Sequence, residues 1–156
     1  MNTPDLMTLP DFMLASSQGE LNLSQCVHDW LIIYFYPKDA TPGCTTQANE
    51  FSQLNAAFQA LHVHIIGVSR DSLKSHERFI EKQAINFALI SDSDEKLCQY
   101  FDVIKQKNMY GKQVMGIERS TFIFHQGKLI KSFRKVKAAG HAELILNEIK
   151  SLQQST

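Results

Sequence analysis

The chain has 156 residues, 44% of them hydrophobic, and its 16 basic and 16 acidic side chains cancel; we expect a single domain over residues 1–156, long enough for a proper core. Balanced charge argues against nucleic-acid or membrane-surface partners, and no apolar run reaches the length of a membrane span. The N-terminus has no basic segment ahead of a hydrophobic one, and three cysteines without a C-x-x-C exclude a disulfide scaffold or zinc knuckle, so a cytoplasmic protein without metal is expected.

Residues 1–8 carry little pattern and are expected to fray. Residues 9–23 read as a strand, a turn at 16–20 containing Gly19, and a second short strand: Phe12 and Leu14 alternate, as do Leu21 and Leu23. Cys26 and His28 fall in the loop SQCVHD, with His28 read as solvated, and Trp30 reads as a packing anchor ahead of the next strand. Leu31, Ile32 and Ile33 begin an apolar run through Tyr36, short enough for a strand buried on both faces. Pro37, Pro42 and Gly43 punctuate the loop that follows. From Cys44 the pattern turns helical, with Phe51, Leu54, Phe58 and Leu61 at spacings of three and four.

Residues 63–68 read as a second parallel strand. His62 and His64 would share one face of it, but no third ligand is evident nearby, so they are not read as a metal site. Ser69, Asp71 and Ser72 can cap the next helix; Phe79 and Ile80 mark its inner face, and His76 is grouped with its charged side chains. Residues 87–90 form a third strand, the SDSD run at 91–94 reads as a cap rather than a cation site, and Leu97, Phe101 and Ile104 share one face of a short helix. Residues 105–118 are polar, contain two glycines and read as a loop. A hairpin (120–124, a turn at Gln126-Gly127, 129–136) precedes a final helix from about His141, with Leu144, Ile145, Ile149 and Leu152 inward. The expected architecture is α/β: a mixed central sheet flanked by helices, with an N-terminal β-hairpin.

Cys44 thus sits where a buried strand, after a short loop, hands over to a helix. A thiol in the first turn of a helix faces unpaired backbone N–H groups and the positive end of the helix dipole, which both favour the nucleophilic thiolate. Thr41, three residues earlier, can place a hydroxyl beside the sulfur. A lone intracellular cysteine is usually a small buried hydrophobe, but this one is flanked by Gly, Pro and Thr residues in a loop. The order Pro37-x-x-x-Thr41-x-x-Cys44, within YFYPKDATPGCTT, resembles the active-site motif of the peroxiredoxins and, among them, the Q-type branch that includes the bacterioferritin comigratory proteins. The resemblance runs from about Leu9, through LPDF, to the terminal helix. It implies a thioredoxin-like fold.

A second segment, GIERSTF at 116–122, resembles the one that supplies the family's active-site arginine, here Arg119. Alone, Arg119 would read as a surface ion pair with Glu118; paired with the Cys44 motif it reads as catalytic. A guanidinium stays charged and donates in a fixed fork. The resemblance implies a peroxidase in which Cys44 attacks hydrogen peroxide or an organic hydroperoxide and becomes a sulfenic acid. Thr41 would hydrogen-bond sulfur and peroxide, backbone N–H groups at Gly43 and Cys44 and the Arg119 guanidinium would stabilise developing charge, and Pro37 and Pro42 would stiffen the loop. No metal, haem or flavin cofactor is needed, because sulfur does the redox chemistry.

Many Q-type members carry a resolving cysteine five residues after the first; Asn49 stands there, and Gln47 replaces a frequent glutamate. Cys26 and Cys98 remain as possible resolving partners. The favoured reading is a one-cysteine cycle, reduced by thioredoxin, glutaredoxin or glutathione, in a monomer. A thioredoxin-like disulfide oxidoreductase would need a cysteine where Gln47 stands, and no motif places a histidine as the base of a cysteine hydrolase. A redox sensor or holdase using the same cysteine is the non-enzymatic alternative.

Overall fold

The computed structural model describes residues 7–26 and 29–155; His28 lies outside the described residues. The chain opens with the expected hairpin, β1 (Met13–Ser16) and β2 (Gly19–Asn22), and a single 3-10 turn at Leu23–Gln25. Of the segment expected to fray, residues 1–6 lie outside the described residues, while Thr8 bridges to Lys128 and Leu9, next to it, is buried.

The apolar run becomes β3 (Trp30–Phe35), buried along its whole length, and α1 (Pro42–Ala60) follows the loop. Next come β4 (Val63–Ser69), α2 (Leu73–Gln83), β5 (Ala88–Ser91) and the one-turn α3 (Lys96–Tyr100). Strands β3, β4 and β5 pair in parallel, as strand–helix–strand connections require. Residues 105–118, expected as a loop, instead form a two-stranded ribbon, β6 (Ile104–Met109) and β7 (Lys112–Ile117). Its turn is Tyr110-Gly111, both with positive φ, the geometry of a two-residue hairpin connection. Four of the six β7 residues are exposed, so the ribbon needs no apolar alternation and gave none to read.

β8 (Ser120–His125) returns antiparallel beside β3 and β9 (Lys128–Phe133) beside β8, with α4 (His141–Gln154) closing the chain. The sheet order is β2-β1-β5-β4-β3-β8-β9, a mixed sheet with β3 and β4 near its centre.

Alternation along β3 splits the core in two. Ile32 and Tyr34, with Tyr36 just beyond the strand, face α1, α2 and α4 together with Phe51, Phe58, Phe79, Ile145 and Ile149. Leu31, Ile33 and Phe35 face α3 with Leu97, Phe101, Phe122 and Phe124. On α4 the inward positions are Ala142, Ile145, Leu146 and Ile149; Leu144, expected inward, is 49% exposed. The i, i+3, i+4 stripe starts from Ala142, one helical step from where Leu144 would put it. Trp30 anchors the start of β3, its ring stacked 4.2 Å from that of His125.

Candidate active site

The buried end of β3 and the start of α1 put Cys44 at the third position of the helix, behind Pro42 and Gly43, with Thr41 as N-cap. Proline at the first helical position lacks only an N–H that would have no partner there. The first intrahelical bond is Thr45 N–H to the Thr41 carbonyl (2.8 Å), so the N–H groups of Gly43 and Cys44 lie ahead of the ladder. Cys44 is only 2% exposed.

Arg119 occupies the short link between β7 and β8. Its Nη2 lies 3.4 Å from Cys44 Sγ, and its Nη1 donates to Gln47 Oε1 at 2.6 Å. The backbone around it is tied down: Val136 N–H donates to the Arg119 carbonyl (3.0 Å), and Ser120 Oγ to the Glu118 carbonyl (2.9 Å). Among the described residues no ion pair joins Arg119 to Glu118. Gly43 makes room for the guanidinium, since a Cβ there would stand 3.2 Å from Nη2.

The Thr41 hydroxyl donates to the Lys38 carbonyl at 2.8 Å rather than to the sulfur, which commits its proton and leaves its lone pairs as acceptors. Pro37 is half-buried in the loop, and Pro42 is exposed at the helix tip. The sequence motif thus brings Cys44 and Arg119 together, with Thr41 and Gly43 beside them on the chain.

The other two thiols are elsewhere. Cys98 is fully buried on α3, in the core on the opposite face of the sheet from Cys44. Burial, and then the Asp92 carboxylate beside it, push its thiol far above the ordinary range. Cys26 precedes β3 while Cys44 follows it, so a six-residue strand separates them, roughly 20 Å of chain. Cys26 is half-exposed at the edge of a cavity of about 380 Å³ lined also by Trp30, Gln59 and His64, and burial raises its pKa. His62 is a left-handed turn residue ahead of β4, and His64 pairs with Asp29 at 2.9 Å. Among the described residues no group of His, Cys, Asp and Glu could hold a metal ion.

Three residues near the site make contacts that the sequence alone did not place. Gln47 is fully buried, and its Nε2 has no partner among the described residues. His141 is buried with Nε2 2.8 Å from Thr121 Oγ1; burial, and then the Arg119 charge, lower its pKa to about 4. His76, grouped with the charged side chains, is instead fully buried against Asp39 of the active-site loop. Its spacing was the available signal: it stands three residues before Phe79, on the same helix face.

Residues 7–133 match the model of the AhpC/TSA family. Peroxiredoxin Bcp of Xanthomonas campestris is 57% identical over 143 residues, covering 90% of this chain and 89% of that protein. Peroxiredoxin Bcp of Bacillus subtilis is 44% identical over 147 residues, covering 93% of this chain and 94% of that protein. Among solved structures, the X. campestris bacterioferritin comigratory protein, studied for alkyl peroxide reduction, superposes with a TM-score of 0.88 at 50% identity, over 94% of this chain and 98% of that one. A peroxiredoxin Q from Xylella fastidiosa gives 0.90 at 44% identity, over 94% and 95% of the two chains.

Proposed function

Since this chain belongs to the AhpC/TSA family of peroxiredoxins, with the thioredoxin-like fold and thiol peroxidase activity of that family, we propose that Cys44 is its peroxidatic nucleophile, held for the reaction by Arg119. The observation that carries the assignment is the 3.4 Å approach of Arg119 Nη2 to Cys44 Sγ in the first turn of α1.

The Cys44 thiolate attacks one oxygen of the peroxide. An S–O bond forms as the O–O bond breaks, and the other oxygen leaves as alkoxide or hydroxide and takes up a proton. Negative charge passes from sulfur to the departing oxygen. The Gly43 and Cys44 N–H groups and the Arg119 fork are aimed at that region and need no rearrangement as charge develops. Thr41, its proton committed to Lys38, accepts the peroxide O–H and so orients the molecule end-on. Pro37 and Pro42 stiffen the loop, and Gly43 keeps the approach open for the guanidinium.

Reduction follows a one-cysteine cycle. Its support is the placement of Cys98 across the sheet and of Cys26 beyond the far end of β3, since a disulfide needs Cα atoms within roughly 7 Å. An external thiol of the glutathione, glutaredoxin or thioredoxin kind attacks the sulfenic sulfur, giving a mixed disulfide and water, and a second thiol frees Cys44. We assign the protein to the cytoplasm, where such thiols are supplied, and to a monomer that needs no partner subunit for chemistry.

Two measurements test this reading. Cys44→Ser is expected to abolish peroxide turnover with its thermal unfolding intact; undiminished turnover would refute the nucleophile. Intact mass after one equivalent of hydrogen peroxide should show one added oxygen on Cys44, whereas loss of two hydrogens, abolished by Cys26→Ser or Cys98→Ser, would identify a resolving cysteine.

A further inference from the structure

One buried polar network in the described residues belongs to none of the catalytic roles above. It centres on Asp39, 6% exposed, in the loop between β3 and α1. Tyr36 Oη donates to its Oδ1 at 2.6 Å, Ser75 Oγ donates to its Oδ2 at 2.8 Å, and His76 Nδ1 lies 2.7 Å from Oδ2. The other ring nitrogen, Nε2, lies 2.9 Å from the Ile90 carbonyl, which can only accept, so Nε2 carries a hydrogen. A hydrogen is then shared between Nδ1 and the Asp39 carboxyl group in a buried hydrogen bond, with its partners 0% and 3% exposed. The Asp39 backbone N–H donates to Asp71 Oδ2 at 2.9 Å, and Ser69 Oγ donates to that same oxygen at 2.7 Å.

These bonds tie the loop carrying Thr41 and the first turn of α1 to α2. The seam between this loop and α2 also contains a cavity of about 200 Å³ lined by Asp39, Ala40, Thr45, Ser75, Arg78 and Phe79. Cys44 itself is 2% exposed. A small peroxide can be met by a closed site, but a thiol that brings its own bulk to the sulfenic sulfur needs the first turn of α1 to move aside.

We propose that His76, acting through Asp39, is a positioning residue whose buried hydrogen bond latches the Cys44 loop: closed, it favours the peroxide step, and opened, it admits the reducing thiol. This rests on the one-cysteine reading. The two half-reactions therefore answer to the latch with opposite sign. Weakening it misplaces Cys44 against Arg119 and slows oxidation; the same weakening lowers the cost of exposing the sulfenic sulfur and speeds R–SH + Cys44–S–OH → Cys44–S–S–R + H₂O.

The test measures the steps separately in the full chain. Hydrogen peroxide oxidises Cys44 in a single turnover, and 2-nitro-5-thiobenzoate then attacks the sulfenic acid, with intact mass confirming Cys44 as the modified residue. His76→Phe, which keeps bulk and removes both ring nitrogens, is expected to slow oxidation by about tenfold or more and to speed thiobenzoate attack by a similar factor, as befits a buried polar group left without its partner. Ser75→Ala removes one donor to Asp39 from the rim of the seam and should move both rates in the same two directions by less. It decides the matter if His76→Phe does not fold. Opposite shifts support the latch; both rates falling together, or any other pattern, overturns it. Failure of the unsubstituted chain to form a Cys44 sulfenic acid would strike the one-cysteine reading instead, before any variant is made.

Discussion

Cys44 and Cys98 share burial and secondary structure but little else. Both are almost inaccessible, and both lie in the first turn of a helix that follows a sheet strand. At Cys44 the helix start is open: among the described residues no carboxylate accepts from its leading N–H groups, and the Arg119 guanidinium lies 3.4 Å from the sulfur. At Cys98 the start is already filled. Asp92 Oδ1 accepts the Leu97 N–H at 3.0 Å and Asp92 Oδ2 accepts the Cys98 N–H at 2.7 Å, which places an anion beside the thiol. Burial is the larger cause of the raised Cys98 pKa, and the Asp92 anion at the helix start adds to it; since Cys44 is buried almost as fully, the occupant of the helix start is what distinguishes the two thiols.

The largest effect is expected where that contrast is carried by one side chain. Arg119→Ala removes the cation and both donors, and oxidation of Cys44 by hydrogen peroxide should slow by about 10²–10³, the range for deleting a donor aimed at developing negative charge. Arg119→Lys keeps the charge but cannot reach Gln47 and Cys44 with one fork, so it should fall between the two. A stopped-flow rate for Arg119→Ala within about twofold of the unsubstituted protein would remove the cation from the explanation and leave the helix start alone.

The converse change should be smaller. Asp92→Asn keeps the shape of the cap, loses its charge and can accept only one of the two N–H bonds. The cost to stability should be about 1–2 kcal/mol by urea unfolding. The Cys98 pKa should fall yet stay above an ordinary thiol, since burial is the larger cause of its elevation. Alkylation of Cys98 in a Cys44→Ser background measures this. If Cys98 then reacts with peroxide as fast as Cys44 does, the anion by itself explains the inert thiol. If its alkylation is unchanged, burial explains everything and the contrast between the two helix starts is broken.

Much of this was readable from the chain, and the unreadable part has a physical pattern. β3, α1 and the N-terminal hairpin announce themselves because a buried strand and an amphipathic helix impose a period on their residues. Cys44 and Arg119 were legible as motifs. The β6–β7 ribbon was not, because strands exposed to solvent have no apolar period, and only the Tyr110-Gly111 turn marked it. His76 was misread for a different reason: a histidine on the inner face of a helix is polar by type, and only the distant Asp39 makes its burial favourable. Gln47 likewise acquires its role from Arg119, 72 residues away. Local pattern reports how a segment is buried; pairing across the fold reports what a buried polar group is for.

A third helix start gives the smallest and most selective test. α4 begins at His141, which is buried between the rings of Phe51 and Phe133 and lies near enough to Arg119 to feel its charge. Burial first, and that charge second, lower its pKa to about 4, so the native ring is neutral where a free imidazole, with a pKa of about 6.5, would already be gaining a proton. The unfolded chain then binds more protons than the folded one between these two values, and stability must fall as pH drops through that window. Above it both states are neutral at His141 and the residue contributes no slope; below it both are charged and the loss is complete. The ceiling is on the order of 3 kcal/mol, and relaxation of the site should leave about 1–2 kcal/mol between pH 7 and 5. His141→Gln cannot titrate. Urea unfolding at both pH values should therefore show a shallower decline for the variant than for the unsubstituted chain, with the carboxylates common to both cancelling in the difference. Equal declines would mean that His141 does not feel Arg119 or its burial as described, and that the cation beside Cys44 acts over a shorter range than this geometry requires.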